Sequence, residues 1–519
     1  MQRFLRLLPL LLSVLWRPAP AAEAPRLVVV IAVDQFRYDY LLRFAPQYEH
    51  GLRRLLDSGA VFTNAFLDHY PTVTAIGHAT ILTGATPAVH GIIGNSWYDR
   101  ETGRMVTSVS DPNVRLVGAE GSGASPWRLQ TDGVGDKLKA RPGAKVIGIS
   151  IKDRAAILTA GRSADAAYWY HPATGRFVSS TWYMERLPDW VAKFNSGGAA
   201  DRWLGKAWIP AGAEQPSVRL PREPGRDYYG LLRRTPYANE LVREFAEQAV
   251  RAEKLGEDAV TDLLAVSFSA NDYVGHRWGP DSPEVRDISI ATDRTLGRFF
   301  DFLDAEIGLD SVLVVFTADH GVAPVPEQRR AQKRPGGRIP EERIAEAVER
   351  RLTERYGEGK WVVGHSGPLP YLNHRLIAEK GLDLDEVRAE AARAARNVPH
   401  VSRVYTYGDL AAAGAGADAI ERRLLNGFHR VRGADLFVVA EPFWIFGGNA
   451  ATHGSPHAYD AHIPLILMGP GIRPGRYREP CVLNDLAPTL AALLEVGLPA
   501  GSAGRVLEAA LAADARDSL

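Results

Sequence analysis

The sequence predicts an α/β fold in which a mainly parallel central sheet carries helices on both faces and is interrupted by inserted cap segments. Three observations predict it: short, continuous apolar runs rich in β-branched residues, amphipathic helical stretches between them, and polar residues directly after most of the runs. The runs are LVVVIAV (27–33), KVIGISI (145–151), LLAVSFS (263–269), SVLVVFT (311–317) and IPLILMG (463–469). Apolar character without alternation marks a strand covered on both faces, so all five read as buried parallel strands.

Helical periodicity fills the intervals. YANELVREFAEQAVRAEKLG (237–256) is amphipathic, and SPEVRDISIATDRTLGRFFDFLDAEIG (282–308) sets Val285, Ile288, Leu296, Phe299 and Phe300 near helical spacing. NDLAPTLAALLEV is read as a helix capped by Asn484 with Pro488 in its first turn. Two stretches break this rhythm. Residues of about 155–235 are rich in Trp, Tyr, Pro and Gly, and residues of about 329–431 are charged and mostly helical, with EERIAEAVERRL and DEVRAEAARAAR. Both are read as insertions on one α/β domain spanning 22–519. The basic run QRRAQKRPGGR (328–338) reads as a solvated loop and GAEGSGAS (118–125) as a flexible one.

Composition narrows the class. The chain has 519 residues, 46% of them apolar, with 61 basic and 61 acidic side chains and a single cysteine. Zero net charge argues against a nucleic-acid binder, and one cysteine excludes a disulfide scaffold, a thiolate zinc site and an iron–sulfur cluster. Cys481 reads as buried filler. At the N-terminus Arg3 and Arg6 precede an apolar stretch, Leu7–Trp16, followed by Ala19-Pro20-Ala21. This pattern reads as a signal peptide over 1–21, too short to span a bilayer, and implies a periplasmic or secreted protein with no membrane span.

In open α/β sheets ligands bind beyond the carboxyl ends of the strands. Asp34 follows the first run, Lys152 and Arg154 the second, Asn271 and Asp272 the third with His276 four residues on, and Asp319-His320 the fourth. ATHGSPHAYDAH, just before the fifth, carries His453, His457 and His462. Asp272 and His276 share one face of a helical turn. Carboxylate and imidazole together suit Zn²⁺, although each pair alone also reads as a surface pair or turn. YPTVTAIGHATILTG supplies a hydroxyl, Thr74, near a helix start, where the macrodipole and free N–H groups favour an alkoxide or a phosphate oxygen. By spacing alone Thr72, Thr74 and Thr80 read as capping or packing residues.

These residues together resemble the alkaline phosphatase superfamily, and within it the PafA-type phosphate monoesterases, related to nucleotide pyrophosphatase/phosphodiesterases. The resemblance rests on VDQFRYDY with Asp34, PTVTAIGHATILTG with Thr74, HGIIGNSWYD with Asn95, SIKDRAAI with Lys152 and Arg154, ANDYVGH with Asp272 and His276, TADHG with Asp319 and His320, and THGSPHAYDAHIPLI with His453. It implies two Zn²⁺, one held by Asp34, Asp319, His320 and the Thr74 oxygen, the other by Asp272, His276 and His453. It implies in-line attack by Thr74 on a small-molecule phosphate ester, a phosphothreonine, and its hydrolysis. Asn95 is the expected amide donor to a phosphoryl oxygen. Lys152 and Arg154 are the expected cations for a monoester dianion, whose extra charge a diester lacks. The alternative is a nucleotide pyrophosphatase/phosphodiesterase using the same two ions. A sulfatase fails because Cys481 stands in CVLND rather than a C-x-P-x-R setting. Spacing does not choose among His453, His457 and His462; the THG match selects His453. His78 is expected behind the ligands, and Asp39, Trp97, Tyr98 and Trp182 stay unassigned near the pocket.

Overall fold

The structure, a computed structural model, describes residues 24–413 and 418–513. The leader read at 1–21 lies outside them. One eleven-stranded sheet organises the chain. Its strands in chain order are β1 (Leu27–Val33), β2 (Ala60–Phe62), β3 (Ser110–Val117), β4 (Ser122–Ala124), β5 (Val146–Ser150), β6 (Ala166–His171), β7 (Arg176–Ser180), β8 (Asp262–Phe268), β9 (Val312–Thr317), β10 (Leu465–Met468) and β11 (Gly475–Tyr477). Across the sheet they stand in the order β11-β2-β10-β9-β1-β8-β5-β6-β7-β3-β4.

The middle of the sheet is parallel: β9, β1, β8, β5 and β6 run the same way, with Val30 opposite Ala265 on one side and Val315 on the other. Every residue of β1, β5, β8 and β9 is buried, as their unbroken apolar runs require. The flanks pair antiparallel except for the outermost β2–β11 pair, which is parallel, so the sheet as a whole is mixed. IPLILMG is the one run whose direction was misread: β10 pairs antiparallel with β9, Phe316 opposite Ile466. A strand covered on both faces shows the same composition in either direction, so the run alone carries no direction.

The helices that matter here are α1 (Thr74–Thr83), α2 (Asp153–Ala160), α3 (Tyr237–Glu253), α4 (Ala270–Trp278), α5 (Pro283–Glu306), α6 (Arg343–Tyr356) and α7 (Leu384–Arg396). The Ser282 hydroxyl caps α5 by accepting the N–H of Val285 at 3.1 Å. Asn484 is not a cap. It lies in a 3₁₀ turn, Leu483–Asp485, and donates its amide to the carbonyls of Gly84 and Ala85 just past α1; the next helix starts at Leu486. GAEGSGAS is not all loop either, since Ser122–Ala124 forms β4.

Residues 155–235 contribute β6 and β7 to the main sheet, and their aromatics Tyr168, Phe177 and Trp190 gather around Phe245 of α3. Residues 329–431 supply α6 and α7, which cover a two-stranded antiparallel pair, Val401–Thr406 with Leu436–Ala440, around a separate core that includes Val348, Leu352, Trp361 and Val387. No helix among the described residues is long and apolar enough to cross a membrane.

Candidate metal centre and nucleophile

Because β1, β5, β8 and β9 run in one direction, the residues that follow them collect at one edge of the sheet. Asp34 follows β1, Lys152 follows β5, Asp272 lies in the first turn of α4 after β8, and Asp319 and His320 follow β9. All five are buried.

Two overlapping groups of ligand atoms result, Asp272 with His276 and His453, and Asp34 with Asp272 and His320, Asp272 being common to both. In one, His276 Nε2 and His453 Nε2 stand 3.2 and 3.6 Å from Asp272 Oδ1. In the other, His320 Nε2 lies 3.5 Å from Asp34 Oδ1, 3.4 Å from Asp319 Oδ2 and 3.4 Å from Thr74 Oγ1. The imidazoles are aimed from behind. Nδ1 of His276, His320 and His453 donates to the carbonyls of Ala451, Gly321 and Thr72 at 2.9, 2.9 and 2.8 Å. A carbonyl only accepts, so a proton sits on each Nδ1, and Nε2 is the nitrogen that faces the carboxylates and that ligation would use.

Three carboxylates packed together repel one another. Burial, and next the charge of Asp319, push Asp34 well above the ordinary carboxylate range despite the pull of Lys152. Burial also raises Asp272 and Asp319, but is outweighed: Lys152 and His276 hold Asp272 well down, and His320 and His78 hold Asp319 down. Burial lowers His453 and His320, which keeps both imidazoles neutral near neutral pH.

The donors fit divalent cations. Asp34 Oδ1 and Oδ2 and Asp319 Oδ2 are shielded from water and accept no aligned hydrogen bond, although Lys152 Nζ approaches Asp34 Oδ2 at 2.6 Å. Buried anionic oxygens short of donors call for cations. Carboxylate oxygen with imidazole nitrogen, and no thiolate, is a donor set that zinc accepts.

Thr74 opens α1 after Val73, whose extended backbone forms the N-cap. Its Oγ1 lies 3.4 Å from Lys152 Nζ, which also contacts Asp272 Oδ2 at 2.7 Å. Asn95 Oδ1 accepts the N–H of Ala75 at 2.9 Å, fixing this amide beside the helix start. Gly77 lets α1 approach: a Cβ there would sit 2.3 Å from the Asp319 carbonyl oxygen. His78 lies behind, its Nδ1 2.9 Å from the Thr74 carbonyl and 3.3 Å from Asp319 Oδ2, and its Nε2 on the Ser267 hydroxyl. Arg154 stands apart on the first turn of α2, half-buried. No hydrogen bond or ion pair joins it to the other predicted residues, though its charge opposes that of Lys152.

His457 and His462 are structural. His457 Nε2 reaches the Ala440 carbonyl, and His462 is stacked between Tyr38 and Phe66. Asp39 is held by Arg37 and Arg43, Trp97 is core, Tyr98 packs on Tyr371, and the Trp182 indole donates to the Arg162 carbonyl.

Gln35 is the residue the sequence reading missed. It occupies the left-handed region at φ 63°, and from there its backbone N–H donates to Asp319 Oδ1 at 3.1 Å and its side-chain amide to Asp272 Oδ1 at 2.9 Å. It ties the two clusters together. Gly275 makes room, since a Cβ there would overlap the Gln35 amide oxygen. A non-glycine residue two positions past a buried strand and before Phe36 gives no hint of that backbone turn.

The chain is similar to known proteins over most of its length. A family model described as type I phosphodiesterase / nucleotide pyrophosphatase matches residues 28–460. The chain is 34% identical to the alkaline phosphatase PafA of Elizabethkingia meningoseptica over 93% of its own length and 94% of that protein. The crystal structure of wild-type PafA superposes with a TM-score of 0.89 at 33% identity, covering 95% of this chain and all of that one. A PafA variant substituted at one threonine, one asparagine, one lysine and one arginine superposes equally well at 32% identity, over 95% of this chain and all of its own.

Proposed function

The chain belongs to the type I phosphodiesterase/nucleotide pyrophosphatase family, and we propose that in it a two-zinc centre hydrolyses phosphate monoesters through a phosphothreonine on Thr74. Its class is phosphoric monoester hydrolase, of the alkaline phosphatase kind. Asp34, Asp319, His320 and Thr74 would hold one ion, and Asp272, His276 and His453 the other. When bound, the two ions act as Lewis acids that acidify the Thr74 hydroxyl and offset charge on the phosphoryl oxygens.

The chain's own groups do the rest. The bond from Thr74 Oγ1 to phosphorus forms as the bond to the ester oxygen breaks, and the alcohol departs on the opposite side. Water then cleaves the phosphothreonine and returns Thr74. Asn95, held by the Ala75 N–H, presents its amide N–H₂ to a phosphoryl oxygen, and Lys152 offers a cation beside the nucleophile. The PafA variant is altered at these same residue types, which supports assigning the roles to Thr74, Asn95, Lys152 and Arg154. The leader read at 1–21 supports export to the periplasm or beyond.

One observation carries monoester over diester: a buried ammonium, Lys152 Nζ, 3.4 Å from Thr74 Oγ1. A dianion gains from such a charge, whereas a diester needs that space for its second substituent. The second reading, a nucleotide pyrophosphatase/phosphodiesterase, draws on Arg154 standing apart from the site. The test is kcat/KM on p-nitrophenyl phosphate against bis-p-nitrophenyl phosphate. A strong monoester preference is expected, and a diester preference would select the second reading.

A further inference from the structure

We propose that a cleft between the core and the 329–431 insertion receives the alcohol part of the ester, and that this enzyme favours monoesters of neutral, ring-bearing alcohols. The inference rests on the monoesterase reading above.

The cleft holds about 440 Å³, enough for a small organic group, and it opens beside Asn95 and His453. Both would flank the phosphoryl group, whereas Thr74 is absent from the lining. In-line transfer expels the alcohol on the side away from the nucleophile. The cleft therefore begins where the leaving oxygen emerges.

Its walls set the class of alcohol. They combine the rings of Tyr70, Trp444 and Phe446 with uncharged polar side chains such as Ser366, Asn449 and Thr452. Neither Lys nor Arg lines the cleft; its carboxylates are Glu341 at the mouth and Asp460, which is engaged by the Ser455 N–H and hydroxyl. A second phosphate or a carboxylate on the alcohol would lose water there and find no cation. An uncharged ring would gain by burial against the aromatic side chains.

The experiment compares 2-phenylethyl phosphate with ethyl phosphate, two primary alkyl esters of similar leaving-group chemistry. The wild type should show kcat/KM roughly tenfold or more higher for the phenylethyl ester, the scale on which an apolar pocket discriminates. Gly448 lines the cleft, and a Cβ there meets no atom within 4 Å. Gly448→Leu should therefore narrow the cleft without strain and bring the ratio close to one. Phe446→Ala, which removes a wall, should lower the same ratio. Equal kcat/KM for the two esters in the wild type, or a Gly448→Leu enzyme that slows both alike, overturns the assignment of the cleft. Failure of the wild type to release phosphate from either ester overturns the monoesterase reading, and this inference with it.

Discussion

Thr74 has no second hydroxyl to replace it: Thr72 donates to the Ser455 carbonyl and Thr80 to the Ile76 carbonyl within α1. Thr74→Ala should lower kcat by about three orders of magnitude or more while leaving bound metal unchanged, because six other ligands remain; metal content and steady-state rates on one preparation check both halves. Lys152→Ala should cost the monoester about 10²–10³-fold in kcat/KM and the diester far less, since only the dianion carries the additional charge. Equal losses on the two substrates would contradict that role. Most of these residues were legible in the sequence because strand-end polar groups follow unbroken apolar runs. His453 needed its motif, because its neighbours His457 and His462 have the same chemistry and differ only in which carbonyl or ring they meet. Gln35 was not legible at all, because its function comes from a left-handed backbone that glutamine seldom adopts.

Among the elements, α1 and the insertion bear the sharpest constraints. Gly77→Ala would drive a methyl into the Asp319 backbone, so it should destabilise the fold by about 1–3 kcal/mol and lower activity further than stability alone explains. Denaturant titration with parallel rate measurements tests this. Asp435 anchors the insertion. Its buried carboxylate meets Arg100 Nη2 at 2.9 Å, His374 Nε2 at 2.8 Å, Arg388 Nε at 2.9 Å and the Leu372 N–H at 2.7 Å. Asp435→Ala leaves those donors unpaired and should cost about 3–5 kcal/mol, seen as early loss of the α6–α7 unit in hydrogen exchange. The central strands were legible because burial on both faces selects mostly apolar residues. β3 was not, because its largely exposed residues, such as the adjacent Pro112 and Asn113, resemble a loop and find their partners in β7 and β4.

For the whole molecule, two buried aspartates give stability opposite dependences on pH. Burial pushes Asp460 up to about 7 even though Ser455 donates to it. The folded chain thus keeps a proton that the unfolded chain releases near pH 3.9, and this contribution declines by roughly 4 kcal/mol as pH rises from about 4 to 7. Asp435 is the reverse: burial raises it, but His374 and Arg100 hold it well below the usual range, so its contribution is present above about pH 4 and lost on acidification. Asp460→Asn should therefore gain stability relative to the parent between about pH 4 and 7 and hold that gain above 8, as read by urea melts; a pH-independent difference would count against it.

The central claim is that seven groups, Asp34, Thr74, Asp272, His276, Asp319, His320 and His453, grip two cations at one sheet edge. Elemental analysis of the purified, active enzyme tests it most directly. Two zinc ions per chain, with phosphatase activity lost on chelation and restored by zinc, is the predicted result; full activity in protein that carries no metal would contradict it.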